Sequence, residues 1–124
     1  MSTLNVANIT DGTTTLATEY VVNGSAKAWA NFNGTGTIAT RDSLNAASVS
    51  DIGIGLYAVN LSSAMSNANY STQVCSNAAV NNNGYDRTDT GSMTSSFCPA
   101  RHYESGGTAT DTDLITVSIH GDLA

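Results

Sequence analysis

The chain has 124 residues and a formal net charge of −6, from 10 acidic against 4 basic side chains. Charged residues make up 11 % of it, well under the roughly 25 % of ordinary soluble domains, and Ser, Thr, Asn and Gly take their place. The balance excludes a nucleic-acid binder, which needs a basic stripe, because Lys27, Arg41, Arg87 and Arg101 are scattered.

That composition suits strands and turns and disfavours long helices. The length allows one domain with a modest core, plus an arm. The N-terminus, MSTLNVANITDG, has neither a basic leader nor an apolar stretch, so no secretory signal is expected. No run approaches a membrane-spanning length, so no membrane insertion is expected. A protein kept in the cytoplasm until something carries it out has reduced thiols, so Cys75 and Cys98 are expected not to need a disulfide.

Residues 1–24 read as an N-terminal arm. Leu4 and Val6 alternate with polar neighbours, Asp11-Gly12 marks a turn, and Leu16, Thr18, Tyr20 and Val22 alternate up to Asn23-Gly24. The pattern predicts two strands with thin apolar faces. A lone hairpin is marginal in water, so the arm is expected to pack on the main domain or on another subunit. Leu4, Val6, Ile9, Leu16, Tyr20 and Val22, with Trp29, are the candidate oligomer interface.

Residues 26–124 read as the main domain. Lys27–Phe32 is a strand ended by Asn33-Gly34, a common tight-turn pair. Phe32 is the core candidate, and Trp29 then faces outward, unless a bulge puts both inside. Strands follow at 37–42, 47–50 and 56–61. In the last of these, Tyr57, Val59 and Leu61 share one face, the period of a half-buried strand. Residues 61–67 tolerate a loose helical turn. The strand at 69–75 puts Tyr70, Thr72 and Val74 on one side. Residues 76–91 read as an exposed loop or as a short hairpin around Asn83-Gly84. A strand at 92–103 is broken at Pro99, which predicts a sheet edge. After a loop at 104–112, Leu114–His120 closes the domain with Ile115, Val117 and Ile119 inward. The regular turn spacing predicts an all-β fold, a small antiparallel β-sandwich of jelly-roll type.

No catalytic motif stands out. There is no G-x-S-x-G elbow, and Gly34/Gly36 and Gly53/Gly55 lack the following helix of a phosphate cradle. Asp86, Asp89, Asp111 and Asp113 have no calcium-loop spacing. His102, Glu104 and His120 hold zinc only if the fold gathers them. The sequons at Asn8, Asn23, Asn33, Asn60 and Asn69 follow from composition. The expectation is a protein that is not an enzyme and has no cofactor and no metal. Binding residues gather on loops held by a rigid scaffold. That makes Asn81, Asn82, Asn83, Tyr85, Asp86, Arg87, Tyr103 and Glu104 the candidate contact residues.

One resemblance adds to this. Ala26–Thr37 (AKAWANFNGTGT), Arg41–Asn60 (RDSLNAASVSDIGIGLYAVN) and Ala64–Tyr70 (AMSNANY) resemble a module that recurs in tailed-bacteriophage virion structural proteins of the tail-fibre type. Asp113–His120 fits that pattern more loosely, and residues 76–90 depart from it. The resemblance implies a virion component, a short tail fibre or fibre-tip subunit that contacts the host surface through a glycan or a protein. It names no catalytic residue. It also implies a homotrimer and other virion proteins as partners. A capsid decoration or cement protein is the alternative, and a free carbohydrate-binding module, short of aromatics here, is the weaker one.

Overall fold

The computed structural model describes residues 2–77, 85–88 and 90–124. Two four-stranded antiparallel sheets pack face to face. The first has the order β4 (Ala39–Leu44), β3 (Ala26–Asn33), β10 (Ile115–His120), β7 (Ser71–Ser76). The second has the order β5 (Ala46–Gly53), β6 (Leu56–Leu61), β9 (Phe97–Tyr103), β8 (Tyr85–Thr88). The expected all-β sandwich is therefore the fold. Non-consecutive strands are neighbours in both sheets, β3 and β7 with β10, and β6 with β9, while β3 and β4 form a direct hairpin.

Alternation decides the inner faces. Ile115, Val117 and Ile119 are buried, while Thr116, Ser118 and His120 are only partly so. Ala28, Ala30 and Phe32 of β3 point the same way, and from the other sheet come Tyr57, Val59, Cys98 and Ala100. Tyr70 and Met65 close one end. Several of these residues are small, among them Ala28, Ala30, Cys98 and Ala100.

Phe32 is fully buried and Trp29 is half-buried on the outer face, between Ser118 and Leu44 in register. The bulge beside Phe32 lies on the partner strand. Asn31 pairs with Asp42 and Phe32 with Thr40, so Arg41 is the extra residue. There its Nη2 donates to the carbonyl of Asp113 at 2.7 Å.

Pro99 corrects the edge expectation, because β9 is an interior strand between β6 and β8. The physical reason lies in the ladder. His102 N–H donates to Gly55, on the β6 side, and strand donors alternate in direction. The N–H that Pro99 lacks would therefore face the β8 side, where the described register runs as far as Thr88 opposite Ala100. A proline in an interior strand forgoes that one donor and leaves the ladder to β6 intact.

The arm also departs from expectation. It pairs only Asn8–Thr10 (β1) with Thr15–Ala17 (β2), and Thr18–Gly24 is a helix, α1. Thr18 marks the switch. Its N–H and its hydroxyl both donate to the carbonyl of Ala7, which holds the chain at the end of the ladder. Leu4 and Val6 precede β1 in irregular backbone. Residues 62–68 form bends and an isolated bridge, not a helical turn.

Gly34 has a packing role. A Cβ there would lie 2.5 Å from the Tyr57 ring. Gly34→Ala should shift the urea midpoint down strongly. Phe32→Ala should cost about 3–5 kcal/mol, the range for emptying a large core site. A midpoint unchanged by either substitution would place the core elsewhere.

Candidate functional site

Of the expected contact residues, those that are described lie on β8, on β9 and just after it, at one edge of the second sheet. Asn81, Asn82 and Asn83 lie outside the described residues, as does the possible hairpin at Asn83-Gly84. Tyr85 opens β8 opposite Tyr103.

Asp86 was expected to face a partner, and the structure turns it inward. Asp86 pairs with His102 across the ladder, and its Oδ1 lies 2.8 Å from His102 Nδ1. Ser76, at the end of β7 in the other sheet, donates its N–H to Asp86 Oδ2 at 2.8 Å. The Ser76 hydroxyl lies 2.9 Å from both Asp86 Oδ1 and His102 Nδ1. His102 is only 4 % exposed. Two residues further along β8, Thr88 bonds to Thr72 of β7 through their hydroxyls. The two sheets are thus fastened along one side by buried polar contacts.

Ser76, His102 and Asp86 have the composition of a hydrolytic triad without its wiring. In such a triad the acid holds Nδ1 and the serine meets Nε2. Here both Ser76 and Asp86 crowd the same Nδ1, and Ser76 is bonded to the carboxylate itself. The arrangement satisfies polar groups between the sheets and departs from the triad's wiring at Nδ1.

The other acids are separately engaged. Asp111 Oδ1 accepts from Gly55 N–H at 2.7 Å and from the Tyr57 hydroxyl at 3.0 Å. Asp113 Oδ1 accepts from Asn77 at 2.6 Å, and Asp89 lies outside the described residues. Among the described residues no three His, Cys, Asp or Glu side chains gather around one point. His102 and His120 belong to different sheets.

Arg87, Arg101 and Tyr103 form the outward cluster. Arg87 and Arg101 are directly opposite in register. Arg87 Nη2 donates to the Tyr103 hydroxyl at 2.9 Å, and Arg101 Nη1 donates to the same oxygen at 2.8 Å. Each guanidinium also lies over the ring, 4.9 Å and 5.7 Å from its centroid, a cation–π arrangement. Glu104 closes the adjoining loop through its backbone, its N–H donating to Thr108 and its carbonyl accepting from Gly107. The sequence nominated Arg87 and Tyr103. It passed over Arg101, whose part depends on the β8–β9 register.

The arm presents the expected interface residues to solvent. Leu4 is 83 %, Tyr20 64 % and Val22 60 % exposed, and Ile9 and Leu16 are also open. Leu4, Val6, Ile9, Thr18, Val21 and Val22 line a groove of about 460 Å³. The sandwich core takes in none of them.

Cys75 is exposed on the outer face of β7 and Cys98 is buried on the inner face of β9. Burial pushes the Cys98 thiol up to about 11. No helix among the described residues is long and apolar enough to cross a membrane. No known family, curated protein or solved structure matches the chain.

Two outcomes are expected. Asp86→Ala strands Ser76 and His102 and should cost about 1–3 kcal/mol, read by urea denaturation. Alkylation of the native protein at mildly alkaline pH should modify Cys75 alone, with Cys98 reacting only after unfolding; peptide mass mapping gives the answer. Equal labelling of both thiols would contradict the burial of Cys98.

Proposed function

We propose that this chain is a non-enzymatic structural subunit of a tailed-bacteriophage virion, a short tail fibre or fibre tip that meets the host surface. The observation that carries the proposal is the arm. Its apolar side chains stay in water in the single chain, and the domain core is complete without them. A surface of that kind is unfavourable until a partner covers it.

A second copy of the chain supplies both the apolar cover and a closing edge for the short β1–β2 ribbon. Closed cyclic symmetry stops the assembly from growing, and the resemblance of residues 26–70 to fibre-type virion proteins gives the number as three. The sandwich then serves as a rigid head. Its β8–β9 end carries Arg87 and Tyr103, a polar surface with aromatic and cationic groups for host contact.

The experiment removes residues 2–24. Light scattering should give a trimer mass for the intact protein and a single-subunit mass for the variant, with red-shifted Trp29 fluorescence as its outer face loses cover. A variant that stays oligomeric, or an intact protein that is monomeric, overturns the proposed joint. Antibody labelling of intact particles then separates a fibre from a head decoration, since label on the capsid shell contradicts the fibre reading.

A further inference from the structure

Resting on that reading of host contact, we propose that Arg87, Arg101 and Tyr103 form a binding site for an oxyanion carried on a host surface polymer. Arg87 and Arg101 are two of only 4 basic residues in a chain of net charge −6, yet they sit at directly opposed cross-strand positions. Like charges so placed repel. With 10 acidic residues in the chain, a carboxylate would be the ordinary remedy. Among the described residues, however, the carboxylate contact present is that of Asp86 with His102 on the inner face, and neither arginine has one.

The hydrogen bonds are equally one-sided. Each guanidinium carries five N–H donors and no acceptor. The acceptor that Arg87 and Arg101 share is the Tyr103 hydroxyl oxygen, which fixes their positions and is not a carboxylate. Arg101 Nε is buried without any acceptor. Because both terminal nitrogens lie within 3 Å of one oxygen, they are within two hydrogen-bond lengths of each other. A single carboxylate or phosphate group can therefore bridge them, and charge-assisted bonds of this kind are the strong ones. Tyr103 holds both forks in place beforehand, so little side-chain freedom remains to be lost on binding.

The host sources of such a group are the carboxylate of an acidic sugar and the phosphate of a phosphorylated polymer. The test titrates the full-length protein with glucuronate, with inorganic phosphate and with glucose as the neutral control, following amide shifts by NMR. Saturable shifts centred on β8 and β9 are expected for at least one anion and none for glucose. Glucuronate alone identifies the acidic-sugar source and phosphate alone the phosphorylated one. Arg87→Gln should weaken binding by about tenfold or more, the loss expected for a hydrogen bond to a charged group, while Lys27→Gln on the other sheet leaves it unchanged. Arg87 is exposed, so its variant keeps the test valid even where Arg101→Gln disturbs folding. No saturable binding of either anion, or equal binding by wild type and Arg87→Gln, overturns the site. A monomeric protein that still binds an anion through Arg87 would overturn the trimer and leave the site standing.

Discussion

The sandwich depends on Tyr57. Its ring meets Phe32 of the opposite sheet edge-on, with centroids 5.5 Å apart and planes at 67°, a favoured aromatic geometry. Its hydroxyl proton is shared between the carbonyl of Gly34, at 3.1 Å, and Asp111 Oδ1, at 3.0 Å. One side chain on β6 therefore reaches the turn after β3 and the loop before β10. Burial, and then the contact with Asp111, push its pKa up, so it remains a neutral donor. The rest of that end follows. Gly34 has no Cβ because the ring occupies the space, and Gly55 has none because the carbonyl of His102 and the backbone of Thr110 do. A chain with few large apolar residues concentrates its packing on one aromatic contact and ties that contact down with hydrogen bonds.

Much of this was legible in the sequence, for a physical reason. In a sheet covered on one side, alternation is a direct record of burial. The inward set Ile115, Val117 and Ile119 follows that rule, whereas in Leu56–Leu61 the inward Tyr57, Val59 and Leu61 are joined by a buried Ala58 on the other face. Trp29 and Phe32 are three positions apart, and a regular strand sends them to opposite faces. The arm was less legible because Thr18–Val22 is too short to fix a period. Tyr20, Val21 and Val22 favour strands, yet the chain turns helical where Thr18 anchors to Ala7 and the β1–β2 ladder stops. No side chain of that helix is buried, so no burial pattern existed to be read.

The two polar clusters were invisible for another reason. Ser76, Asp86 and His102 lie on three strands in two sheets, and nothing in their spacing announces that they meet. Arg87 and Arg101 are neighbours only because of the β8–β9 register. Pro99 was misleading in the same way. The rule that confines proline to edges concerns the missing donor, and at Pro99 that donor is missing on one side only, while the pairing with β6 is kept.

Register also explains why the inward and outward clusters are coupled. Along β8, Asp86 and Thr88 point into the sandwich and Arg87 points out, and β9 repeats the alternation with His102 inside and Arg101 and Tyr103 outside. The buried bonds from Asp86 to Ser76 and His102 fix the position of β8 against both sheets. A slip of one residue would carry Asp86 to the surface and Arg87 into the core, where an unpaired guanidinium is prohibitively costly. The inner polar contacts thereby set which residues the outer face presents. The outward placement of Arg87 and Arg101 is the consequence of how the sandwich is locked from within.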